Sequence, residues 1–146
     1  MLRIGKLSEA TGVKVPTIRY YEQIALLPQP RRTGGNQRLY GHEALDRLSF
    51  IRHARDLGFP LNAIRELLSL SDRPEQTCDA ADAIARRQLG AVKARIVRLL
   101  ALQQELERML DHSVGGLISD CRVIEVLGNH SLCQEEHAAE AGTSEC

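Results

Sequence analysis

Two separated sets of side chains in this sequence are equipped for chemistry. Cys78, Cys121, Cys133 and Cys146 all lie in the second half, with His112 between the first two. Thiolates are soft donors that bind Zn, Cd, Hg, Pb or monovalent Cu, and they also serve as redox sensors or pack inertly. The opening MLRIGKLSEATG lacks the apolar core of a secretory signal, and no apolar run reaches 18 residues. A cytoplasmic protein without a membrane span is expected, and in that reducing compartment disulfides are disfavoured. The second set lies in the first half: Arg19, Arg31, Arg32 and Arg38, accompanied by Thr17, Tyr20, Tyr21 and Tyr40. Guanidinium groups fork onto guanine or phosphate, and hydroxyls add phosphate hydrogen bonds, so this set suits a polyanion.

Elements able to position the arginines can be read from the pattern around them. Ile4, Leu7 and Ala10 have helical spacing, stopped by Thr11-Gly12. Pro16 then suits the first turn of a second helix over Thr17 to Ile24. Two short helices joined through a glycine predict a helix-turn-helix, whose second helix enters the DNA major groove. That places Thr17, Arg19 and Tyr20 toward DNA, while Tyr21, in step with Thr17 and Ile18, faces inward. From Leu27 to Tyr40, Pro28, Pro30 and the Gly34-Gly35-Asn36 turn interrupt any helix and predict a two-stranded wing carrying the other arginines. A third helix is expected from about His42 to Leu57, burying Ala44, Leu45, Leu48, Ile51 and Leu57, and a fourth from Pro60 to about Leu70, burying Leu61, Ile64, Leu67 and Leu68.

The cysteines require a different scaffold. Residues 71–77 are polar, and beyond them a single helix is predicted from Cys78 to His112. Ala85, Leu89, Val92, Ile96, Leu99, Gln103, Leu106 and Leu110 alternate spacings of four and three, a heptad seam with one polar break. Too little apolar sequence remains to cover that seam within the chain, so a partner helix from a second copy is expected. Val114-Gly115-Gly116 ends the helix, a short helix follows over Cys121 to Leu127, and the last dozen residues have the composition of a disordered tail. The expected organisation is a DNA-binding domain over 1–71, a dimerisation helix over 72–112, an effector loop and short helix over 113–133, and the tail over 134–146.

Composition agrees with an all-α fold: aromatics are 3% of residues, Trp is absent, and hydrophobic residues are 43%. The net charge of zero hides an asymmetry. Residues 1–70 hold 11 Lys+Arg against 6 Asp+Glu (net +5), and residues 71–146 hold 8 against 13 (net −5). A basic half favours nucleic acid through counterion release. There is no HExxH motif, no phosphate-binding glycine loop, and no Cys-His-acid set on a scaffold able to enclose substrate, so no enzyme is expected.

The segment IGKLSEATGVKVPTIRYYEQIALLPQPRRTGGNQRLYGHEALDRLSFIRHARDLGFPLNAIRELL resembles the head of the mercury-resistance-regulator (MerR) family nearly from end to end. TIRYYE, the adjacent LLP, the GNQRLY wing and FIRHARDLGF carry the resemblance most specifically. It implies a winged helix-turn-helix head and a homodimer held by an antiparallel coiled coil. It also implies a palindromic operator in an over-long promoter spacer, and activation by distorting that DNA so that RNA polymerase engages the promoter. Arg19, Tyr20, Arg38 and Tyr40 match family DNA-contacting positions.

The resemblance extends to the cysteines. DCRVIEVL is similar to the second metal-ligand region of the metal-sensing members, with Cys121 as the ligand. Cys78, at the start of the long helix, resembles the arrangement in sensors of divalent ions, where monovalent-copper sensors have Ser. Antiparallel pairing would bring Cys78 of one chain beside the Cys121 loop of the other, twice per dimer. A thiophilic divalent effector (Zn, Cd, Pb or Hg ahead of monovalent Cu) is therefore implied. One position departs: counting back from Cys121 by the family spacing reaches Ser113 where a Cys is expected, which leaves His112 or Cys133 to complete the donor set. A thiol redox-responsive regulator of the same fold is the alternative reading.

Overall fold

The computed structural model describes residues 1–113 and 115–129, and the chain is mostly helical, as the periodicity predicts. The expectations for Cys133, Cys146 and the tail lie outside the described residues. Two compact units divide the chain, Met1–Gln88 and Leu89 onward.

In the first unit, helices α1 (Ile4–Thr11) and α2 (Val15–Gln23) are joined by a tight turn. Gly12 ends α1 in the left-handed region at φ 72°, its N–H donating to Ser8 O over 2.8 Å. A Cβ at Gly12 would stand 2.2 Å from an Nη of Arg52, whose guanidinium donates to the Thr11 carbonyl. The left-handed backbone therefore demands glycine at this turn, and any larger residue would also have to displace the Arg52 guanidinium. The wing is an antiparallel pair, β1 (Arg31–Arg32) and β2 (Arg38–Leu39). In its turn the left-handed residue is Asn36, at φ 63°, not either neighbouring glycine.

Helices α3 (His42–Asp56) and α4 (Leu61–Ser71) close the core. Leu7, Ile18, Leu48, Ile51 and Ile64 are fully buried together with Leu26, Leu27 and Tyr40. Each such aliphatic side chain contributes roughly 1.5–3 kcal/mol relative to exposure. Leu57 corrects the expectation that it is buried. It is 68% exposed, because α3 ends at Asp56 and Leu57 turns outward, its carbonyl accepting the Gln88 side-chain amide over 3.0 Å.

Three carbonyls at the exit of α2 are held by arginines from the scaffold. Arg65 donates to Ile24 O over 2.7 Å and to Ala25 O over 3.3 Å, and Arg47 donates to Leu26 O over 3.1 Å. These bonds satisfy an elbow in which Ala25 has φ 58°, a costly conformation for a residue with a Cβ. The elbow fixes α2 against α3 and α4 and launches the chain into the wing.

The long helix α5 spans Asp79–Asp111, one residue short of the expected range at each end. Its first turns belong to the first unit, where Ile84 is buried and Arg87 meets Glu66 at 3.5 Å. Along the seam, Leu89, Ile96, Leu99, Leu106 and Leu110 are each more than half exposed. In the second unit a short 3-10 helix (Ile118–Asp120) leads into α6 (Arg122–Gly128), and among the described residues Glu105, Met109 and Val126 are buried.

Candidate functional site

Helix α2 presents Arg19 and Tyr20 to solvent, Tyr20 being 48% exposed, while Ile18, Tyr21 and Glu22 form its buried face. The division between the two adjacent tyrosines is the one their helical positions predict. Thr17 is half-buried beside them. Arg19 and Arg38 share a concave surface of about 550 Å³ with Arg3, Lys6 and Asn36, so basic side chains of α1, α2 and the wing converge. Glu9, also on this surface, pairs with Lys6 at 3.0 Å, but both are largely exposed and the pair is weak. Arg31 is exposed on β1. Arg32 donates to the Asn36 carbonyl over 3.1 Å and so braces the wing turn.

Tyr40, expected among the DNA contacts, lies beneath the surface of the single chain. It is 2% exposed and its hydroxyl donates to Glu22 Oε1. Burial first, then the hydrogen bond and negative charge of Glu22, hold the phenol well above its ordinary pKa of 10.0. A folded-state pKa above the unfolded one keeps its stabilisation intact below pH 10.0 and loses it as pH climbs toward the folded value. Unfolding experiments between about pH 9 and 11 should show a steeper loss of stability in the native protein than in Tyr40→Phe, the other tyrosines being common to both.

The second carboxylate oxygen of Glu22 accepts from Arg38 Nε over 3.1 Å. Glu22 is 4% exposed, and a buried carboxylate persists only when paired and hydrogen-bonded. Sequence reading passed over Glu22, yet its position carried a signal. It is four residues beyond Ile18 and adjacent to Tyr21, an acid in step with the buried face of a helix that otherwise faces a polyanion.

Of the thiols, Cys78 immediately precedes α5, exposed, its carbonyl accepting Asp82 N–H over 2.8 Å. Cys121 is half-buried at the start of α6, where its backbone caps the helix and its side chain makes no capping bond. Both are free cysteines. His112 Nδ1 lies 2.8 Å from Arg108 O, a contact that favours a proton on Nδ1 and leaves the Nε2 lone pair for ligation. Ser113 follows, its N–H donating to Leu110 O. Among the described residues, no three His, Cys, Asp or Glu side chains of one chain converge to hold an ion.

A helix-turn-helix with a basic wing, followed by a long helix with an open apolar seam, defines a DNA-binding regulator of the winged-helix class. Residues 2–71 match the family described as MerR HTH family regulatory protein, and residues 45–109 match the one described as MerR, DNA binding. Escherichia coli K12 HTH-type transcriptional regulator ZntR is 44% identical over 87% of this chain and 92% of its own length. The mercuric resistance operon regulatory protein of Bacillus cereus is 35% identical, over 86% of this chain and 96% of that protein. The transcription regulator PbrR691 of Ralstonia metallidurans CH34, solved in complex with lead(II), superposes with TM-score 0.74 at 37% identity, covering 87% of this chain and 99% of its own. The chain belongs to the MerR family of transcription regulators.

Proposed function

We propose that the protein is a metal-responsive transcription regulator that binds a palindromic promoter operator as a homodimer. Effector binding makes it distort the DNA and so activate transcription by RNA polymerase, in the cytoplasm. The observation that carries this reading is the pairing of two features that are incomplete among the described residues: an apolar seam left exposed and two thiols that no third donor joins. An antiparallel dimer completes both at once. Along a helix of 33 residues, about 50 Å long at 1.5 Å per residue, it lays Leu89, Ile96, Leu99, Leu106 and Leu110 against a second copy. It also sets Cys78 of one protomer beside residues 112–121 of its partner.

Thr17, Arg19 and Tyr20 on α2 would meet the major groove and its flanking phosphates, with Arg31 and Arg38 of the wing on the adjacent backbone. Cys78 and Cys121 would hold the effector, with His112 or Cys133 completing the set. Two thiolates and an imidazole suit a borderline-soft divalent ion, Zn, Cd, Pb or Hg, ahead of monovalent Cu. The similar proteins named for mercury or solved with lead(II) support a metal signal and do not favour thiol oxidation. Ligation across the dimer would order the loop carrying Cys121, biasing the relative angle of the two heads and hence the twist of bound DNA.

The direct test is metal stoichiometry and competition affinity on the reduced dimer for Zn, Cd, Pb, Hg and monovalent Cu. Tight divalent binding, lost in both Cys78→Ser and Cys121→Ser, is the expected result. Affinity no better than micromolar for every ion would refute the metal-responsive reading.

A further inference from the structure

Glu22 sits where a DNA-binding surface ought to avoid an acid, on the helix that carries Arg19, beneath a wing arginine. A carboxylate near bound phosphates costs affinity by simple repulsion. Its surroundings, however, are built around it: one oxygen takes the Tyr40 hydroxyl, the other takes Arg38 Nε at 3.1 Å, and its backbone carbonyl accepts the Gln29 side-chain amide at 3.3 Å. Tyr40 is fixed in turn, because its backbone exchanges two hydrogen bonds with Leu2, at 2.7 and 2.8 Å. The carboxylate is thus immobilised by α2, β2 and the first residues of the chain together.

We propose that Glu22 is a positioning residue for DNA binding: held by Tyr40, it fixes the Arg38 guanidinium through Nε so that the two terminal nitrogens project toward a backbone phosphate. Those two nitrogens are the pair that forks onto an oxyanion, and no protein acceptor for them is found among the described residues. Arginine side chains lose substantial rotamer freedom when immobilised, so an anchor that holds the fork in advance lowers the cost of contact. The arrangement also gives Tyr40 a role at the interface without contact: it acts on DNA through Glu22 and Arg38.

This inference rests on the DNA-contact reading of Arg38, and the test separates the two. Affinity for a fluorescently labelled mixed-sequence duplex is measured against salt for the native dimer, Arg38→Ala, Glu22→Gln and Glu22→Gln/Arg38→Ala, with thermal unfolding of each. Phosphate contacts are counted by the salt slope whatever the sequence. Arg38→Ala is expected to weaken binding several-fold and reduce the slope by about one. Glu22→Gln, although it removes a negative charge from a surface that meets DNA, is expected to weaken binding too, with a reduced slope. In the Arg38→Ala background it should cause no further loss. Tighter binding by Glu22→Gln, or a loss that adds fully to that of Arg38→Ala, would overturn the positioning role while leaving Arg38 a DNA contact. An Arg38→Ala variant that binds like the native protein would overturn the contact itself, and the proposal with it. Should Glu22→Gln not fold, Tyr40→Phe takes its place in the same cycle. It keeps the buried ring, and a loss that disappears in the Arg38→Ala background supports the proposal, whereas native-like binding with Arg38→Ala impaired overturns it.

Discussion

Arg19→Ala should weaken operator binding by roughly 5- to 150-fold, the equivalent of about 1–3 kcal/mol, with the folded head unchanged. Arg19 is exposed on α2 and shares a concave basic surface with Arg3, Lys6 and Arg38. Nothing in the core depends on it, since the buried face of α2 is Ile18, Tyr21 and Glu22. Truncation therefore removes a contact without creating a cavity, and thermal unfolding should stay near that of the native protein. Titrating the variant into labelled operator at several salt concentrations checks this and sorts the contact by type. A phosphate contact lowers the salt slope by about one and weakens all sequences alike, whereas a base contact relaxes discrimination at one position. Native affinity in Arg19→Ala would remove α2 as the reading helix.

Leu99→Glu should convert the dimer to monomers and reduce operator affinity by more than about 100-fold. Glutamate is as comfortable in a helix as leucine, so α5 itself should persist. Leu99 lies near the middle of the exposed seam, 56% exposed in the single chain, with Ile96 one turn before it and Leu106 two turns after. Burying a leucine is worth about 1.5–3 kcal/mol, and twofold symmetry counts the substitution twice, before two carboxylates are brought close together. A palindromic site also needs both heads at once, so a monomer forfeits half of its contacts. Sedimentation and binding by the same preparation check both halves of the expectation. A Leu99→Glu protein that remains dimeric and binds normally would place the dimer interface elsewhere.

Much of this architecture is legible in the sequence because it rests on short-range rules. Gly12 marks its own turn, Pro16 its own helix start, and the alternation of four and three from Ala85 to Leu110 marks one helix with one seam. What escaped reading depends on long-range partners. Tyr40 looks like a surface tyrosine beside a wing arginine, and only the approach of Glu22, eighteen positions away, makes it a buried donor. Leu57 continues the apolar stripe of α3 on paper, but the helix stops a residue earlier and the stripe with it. The arginines at the α2 exit, Arg47 and Arg65, lie 21 and 40 or 41 positions from the carbonyls they hold, and the strained Ala25 elbow that they satisfy has no local signature. The thiols are the opposite case: Cys78 and Cys121 stand out at once by residue type, but among the described residues neither belongs to a group of three ligating side chains.

The central claim, a metal site shared between protomers, is tested most directly by mixing two inactive dimers. Cys78→Ser and Cys121→Ser proteins are each expected to lose tight divalent binding. Unfolded together and refolded as mixed dimers, they should regain it, because one of the two sites in a mixed dimer then keeps Cys78 from one chain and Cys121 from the other. Recovery of one tightly bound Cd or Pb ion per mixed dimer, read by thiolate-to-metal absorbance, is the predicted result. Mixed dimers that bind no ion, while the native dimer does, would contradict a cross-chain site and place both ligands within a single chain.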